Sequence, residues 1–158
     1  MKKLFILLLA LLLLVACTQE PTVAILPDPA PDQEISYSEE GLSLELVESI
    51  FEESPAAIHT IVRNDSGQPY RLGEFYHIEM KVDGKWHVIT YSDAVFLNNP
   101  SFRDFGNILK DGEEGRQLFS VEALGITLIP GDYRLVKTFL SITEPYHEVS
   151  VAATFSVE

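Results

Sequence analysis

Val149-Ser150-Val151-Ala152-Ala153-Thr154-Phe155-Ser156-Val157 decides how this chain folds. Successive side chains of a strand point to opposite faces, so Val149, Val151, Ala153, Phe155 and Val157 share one face and Ser150, Ala152, Thr154 and Ser156 the other. The same period recurs upstream. Leu42, Leu44 and Leu46 alternate with Ser43 and Glu45, and Ile78, Met80 and Val82 alternate with Glu79 and Lys81. Residues 57–64 are β-branched and apolar and end in the turn signal Asn64-Asp65-Ser66-Gly67. Asp83-Gly84 predicts a type I′ hairpin, which needs positive φ at both central residues; Trp86 and Val88 resume the strand beyond it. Residues 117–121 and 133–140 read as further strands, with turns at Pro130-Gly131-Asp132 and at Pro145. Residues 42–50 could be argued as helix, but strict alternation favours a strand. About seven strands in about 120 residues, separated by regularly spaced turns, predict an all-β antiparallel sandwich over residues 37–158.

The whole chain has 158 residues, 24 of them acidic and 11 basic, for a net charge of −13. That balance argues against nucleic acid, whose phosphates call for a basic patch. A single cysteine excludes an internal disulfide framework and a Cys-rich zinc site.

Residues 1–16 read as a secretion signal. Lys2 and Lys3 form a basic start, and Leu4 to Leu14 is an unbroken apolar run. It is shorter than the roughly 20 residues that span a bilayer and suits a signal core. Leu14-Val15-Ala16-Cys17 follows and places the only cysteine at the end of the run. This order resembles the lipobox of bacterial lipoproteins. The resemblance implies a lipid-bearing Cys17 as the mature N-terminus, a membrane partner through that anchor and an extracytoplasmic location. An ordinary cleaved signal followed by a chance cysteine is the alternative. Residues 17–36 hold Pro21, Pro27, Pro29 and Pro31 among Asp28, Asp32 and Glu34. Such a segment predicts an extended tether.

Leu128-Ile129-Pro130-Gly131-Asp132-Tyr133-Arg134-Leu135-Val136-Lys137 resembles a segment that opens a late strand in bacterial immunoglobulin-like (Ig-like) domains. Val82-Asp83-Gly84-Lys85-Trp86 and Val62-Arg63-Asn64 resemble the same families. The resemblance implies an Ig-like sandwich over about residues 40–158. It also implies that Tyr133 hydrogen-bonds back to the backbone at the sandwich corner. Leu135 stands where the second cysteine of a disulfide pair would be, so Trp86 is expected to pack directly on apolar neighbours.

Chemistry-bearing patterns are few. His59, His77, His87 and His147 show neither His-x-His nor His-x-x-x-His spacing. No nucleophile elbow, phosphate-cradling glycine loop or calcium loop is present. Glu39-Glu40, Glu52-Glu53 and Glu113-Glu114 are neighbours in sequence, which strand geometry turns to opposite faces. No cofactor, metal or catalytic set is predicted. Residues 91–112 form a long irregular connection bearing Phe96, Phe102, Arg103 and Phe105. Loops on a rigid sandwich carry recognition, and aromatics and arginine are enriched in interfaces. The same aromatics could instead close one end of the core.

The expected function is therefore that of a lipid-anchored, non-enzymatic Ig-like module that binds an extracytoplasmic protein or serves as an accessory to one. The alternative is a sandwich that inhibits a protease through a protruding loop at residues 97–108.

Overall fold

The structure is a computed structural model that describes residues 23–74, 76–91 and 106–158. The strands are β1 (Ser38–Glu39), β2 (Leu42–Leu46), β3 (Ile50–Phe51), β4 (Ala57–Asn64), β5 (Tyr70–Leu72), β6 (His77–Val82), β7 (Lys85–Val88), β8 (Asn107–Leu109), β9 (Glu113–Ser120), β10 (Gly131–Ser141) and β11 (Glu148–Val157). Among these, the seven with four or more residues are β2, β4, β6, β7, β9, β10 and β11. The other four have two or three residues each, too few for a period to be read in the sequence.

One sheet has the order β1-β2-β4-β9. The second has β3-β11-β10 at its centre. Beyond β10, β6 pairs with residues 133–136 and carries β7, while β5 pairs with residues 140–141 and carries β8. Every ladder is antiparallel except β3 on β11. The two sheets face each other in a sandwich.

Alternation places the core. Leu42 and Leu44 of β2 and Ile58 and Val62 of β4 are buried opposite Tyr133, Leu135 and Phe139 of β10 and Val151 and Phe155 of β11. Full burial of a large apolar side chain stabilises the fold by about 1.5–3 kcal/mol. The Tyr133 and Phe155 rings stack at 5.3 Å, and Phe51 meets Phe155 edge-on at 5.8 Å. Lys137 points into the same interior, where its ammonium donates to the Gly73 carbonyl and lies 5.2 Å from the centroid of the Phe119 ring.

Turn chemistry fixes the register. Asp83 and Gly84 have φ of 50° and 79°, as the hairpin between β6 and β7 requires. Buried Asn64 uses its whole side-chain amide. Its Nδ2 donates to the Gln68 and Leu109 carbonyls, and its Oδ1 accepts from the Ser66 amide and hydroxyl. At Gly41, with φ of 80°, a Cβ would lie 2.7 Å from Ser66 Cα, so only glycine lets the β1–β2 turn approach this loop.

Residues 23–36 differ from the free tether expected of them. Residues 24–36 form a strap lying across the second sheet. The Thr90 amide donates to the Ala24 carbonyl, and Leu26 and Ala30 donate to Val88 and Trp86, each at 2.8 Å. The strap then leaves the β7 edge, crosses the outer face of the sheet and reaches β11, where the Ala152 amide donates to the Ser36 carbonyl. Within the strap, Ala30 is buried. Proline composition signals an extended backbone; it does not say whether that backbone finds an edge to pair with.

Candidate functional site

The strap roofs the outer face of β6, β10 and β11. Glu79, Arg134 and Trp86 reach this face by register. Arg134 sits opposite Glu79 in the β10–β6 ladder, and Trp86 opposite Lys81 in the β6–β7 ladder. Ile78, on the other parity, goes to the core. Trp86 is therefore not a core side chain, contrary to the expectation of apolar packing. It is half-buried outside the sandwich, with its ring centroid 4.9 Å from the Arg134 guanidinium and 5.3 Å from Lys81 Nζ. Those distances suit cation–π contact.

Arg134 and Glu79 form an ion pair with both side chains 2% exposed. Arg134 Nε and Nη2 donate to Glu79 Oε2 at 2.7 and 2.6 Å. Its remaining donors go to the strap: Nη1 to the Gln33 carbonyl at 3.2 Å and Nη2 to the Asp32 carbonyl at 2.5 Å. The other carboxylate oxygen, Oε1, lies 2.9 Å from His77 Nε2. Two charges taken out of water need this many partners, because each desolvated ion costs several kcal/mol before pairing. Gln33 fastens the strap from its own side. Its Nε2 donates to the Trp86 carbonyl at 3.1 Å and its Oε1 accepts from the Trp86 amide at 2.9 Å, so a side-chain amide does the work of a ladder partner.

Beside this ion pair lies a cleft of about 620 Å³ between strap and sheet. Pro31 and Ile35 wall it, His77, Val136 and Ser150 line the sheet side, and Tyr91 stands at its margin. Burial pushes the Tyr91 phenol above its ordinary pKa, which keeps it a neutral hydrogen-bonding group at physiological pH. The cleft thus offers a mostly apolar surface with imidazole and hydroxyl groups at its border, suited to holding a ligand or a side chain.

The predicted residues fall in different places. Tyr133 is buried at the start of β10, and its hydroxyl donates to the Ile129 carbonyl, four residues upstream, at 2.5 Å. Cys17, Phe96, Phe102, Arg103 and Phe105 lie outside the described residues, as does most of the 97–108 loop. The four histidines stay apart. His59 is exposed on β4, His77 borders the cleft, His87 Nδ1 is 3.0 Å from the Leu26 carbonyl, and His147 lies before β11. Among the described residues, no three His, Cys, Asp or Glu side chains gather as a metal-ligand set. No helix among them is long and apolar enough to cross a membrane.

At one end of the sandwich His147 Nε2 is 2.9 Å from Glu40 Oε2, and the Tyr70 hydroxyl donates to the same oxygen at 3.2 Å. This links the β1–β2 turn to the opposite sheet. Bonding to the Pro145 carbonyl and to Glu40 raises the His147 pKa, and the bond from His147 lowers that of Glu40. Glu113-Glu114 is likewise engaged: Glu114 pairs with Arg63 at 3.0 Å and with Arg116 at 3.8 Å.

The buried ion pair escapes sequence reasoning because Glu79 and Arg134 occupy the polar parity of their strands. One signal was available. In residues 133–140, Val136 and Leu140 are apolar on the same parity as Arg134, so both faces of β10 call for cover.

No curated protein matches this chain. The family described as bacterial Ig-like domain matches residues 38–156, in agreement with the all-β two-sheet sandwich, and the chain belongs to that family.

Proposed function

We propose that this chain is a lipid-anchored, extracytoplasmic protein whose Ig-like domain is a non-enzymatic binding or accessory module. The observation that carries the binding role is the cleft under the strap, with Tyr91 at its margin, from which the aromatic 91–112 connection departs. The lipobox-like Leu14-Val15-Ala16-Cys17 supports the anchor. Two acyl chains would hold stably where one binds marginally, at about 0.8 kcal/mol per buried methylene.

Photo-crosslinking in intact cells tests the binding role. A crosslinker at Tyr91 or His77 is expected to capture one reproducible protein, and a crosslinker at His59 on the opposite sheet is expected not to. Equal capture from both faces would defeat the cleft as the site. Cys17→Ser is expected to move the protein from the membrane fraction to the soluble one; retention in the membrane would remove the anchor.

A further inference from the structure

The strap changes how far the domain can stand from its anchor. Residues 18–22 separate Cys17 from Val23, the first described residue, and Ala24 is already bonded to Thr90. At most about 3.3–3.6 Å per residue, six steps from Cys17 to Val23 reach only about 20 Å. Were residues 24–36 free, the first fixed residue would be in β1, and the reach would be about 70 Å. β10, with 11 residues, is itself about 35 Å long, longer than the short leash.

We propose that residues 24–36 are a tether-shortening latch, fastened by Gln33 on Trp86 and by Arg134 on the Asp32 and Gln33 carbonyls, that holds the β7 side of the sandwich next to the lipid surface. This rests on the lipid-anchored reading above. The latch lies outside residues 38–156, so it is an addition to the family domain and can be released without cutting the sandwich. On the same edge Leu26 is 45% exposed, an apolar group on the side the leash brings towards lipid. Release would strip two acceptors from Arg134 and open Ala30 and Val136 to water, so the fastened form is favoured.

Trp86 is the only tryptophan and reports the distance without a label. The acylated full chain is placed in phosphatidylcholine vesicles carrying dansyl headgroups, and energy transfer from Trp86 is measured by its lifetime. Ala30→Arg combined with Gln33→Ala is expected to lower transfer efficiency about twofold or more, as the reach grows from about 20 to about 70 Å. Hydrogen exchange at β10 and β11 amides checks that the sandwich persists.

Ile25 of the strap and Ile89, the residue after β7, face each other in an antiparallel bridge, at a spacing of about 4.5–5.5 Å that accepts a disulfide. Ile25→Cys/Ile89→Cys in the Gln33→Ala background is therefore expected to keep high transfer when oxidised and lose it on reduction. Unchanged transfer in both variants, with acyl mass present on Cys17, overturns the latch alone. A wild-type chain lacking that mass and failing to bind vesicles overturns the anchored reading, and the latch with it.

Discussion

Arg63 and Arg134 occupy comparable stations on the two sheets and live in different worlds. Each sits on a central strand, faces away from the core and meets a carboxylate from a neighbouring strand. Arg63 of β4 bonds Glu45 at 2.6 Å and Glu114 at 3.0 Å, with its side chain 35% exposed. Arg134 of β10 bonds Glu79 at 2.6 Å with 2% exposed. Glu114 raises the Arg63 pKa first, then Glu45, but water and salt screen both contacts. What separates the two sites is the strap. The outer face of β4 is open; that of β10 is roofed by residues 24–36, which replace the missing water with the Asp32 and Gln33 carbonyls. The same pair of residue types is thus surface decoration in one sheet and a structural centre in the other.

The largest expected effect breaks the buried site. Glu79→Ala leaves the Arg134 charge without its counter-ion and should cost about 3–5 kcal/mol in urea denaturation. Glu79→Leu with Arg134→Met removes both charges and should cost much less; equal costs would mean that burial of the charge is not what matters. A neutral buried bond falls between the extremes. Tyr133→Phe should lower stability by about 1 kcal/mol, read as a shift in denaturation midpoint without a change in slope. Arg63→Ala, the open counterpart, should cost less than about 1 kcal/mol, and the loss should shrink as salt is added.

The smallest effect is a pH dependence. His147 has a raised pKa in the fold, so its contribution is complete below about 6.5 and fades as pH climbs through the raised value. Glu40 has a lowered pKa, so its contribution is complete above about 4.5 and fades as pH falls through the lowered value. The pair therefore contributes most between those limits. His147→Gln should flatten the decline of stability as pH rises above about 6.5. A decline that persists in the variant would assign it to another group.

The sequence exposed whatever repeats with a short period or needs a special backbone. β2, β6 and β11 announce themselves by alternation, β10 by the Pro130-Gly131-Asp132 turn before it, the β6–β7 turn by Asp83-Gly84, and the corner by the resemblance around Tyr133. Three things stayed hidden for physical reasons. Tyr70-Arg71-Leu72 is too short to show a period, and its identity as β5 comes from pairing with residues 140–141 and with β8. The strap is held by backbone carbonyls and one glutamine amide, groups that any polar segment possesses. Glu79 and Arg134 look solvent-facing until something is known to cover them. The resemblance, with no cysteine pair for it to pack against, points Trp86 at apolar neighbours; its register opposite Lys81 sends it outwards.

Pairing with the strap has one more consequence, for behaviour in a crowd. The bare β7 edge of the second sheet would offer its amides and carbonyls to any neighbouring chain. Residues 24–30 occupy that edge, and Pro27 and Pro29 have no amide hydrogen to extend the ladder outwards. If the proposed lipid anchor concentrates the protein on a two-dimensional surface, its copies would meet often, and on that side this sheet ends in a segment whose Pro27 and Pro29 donate nothing outwards.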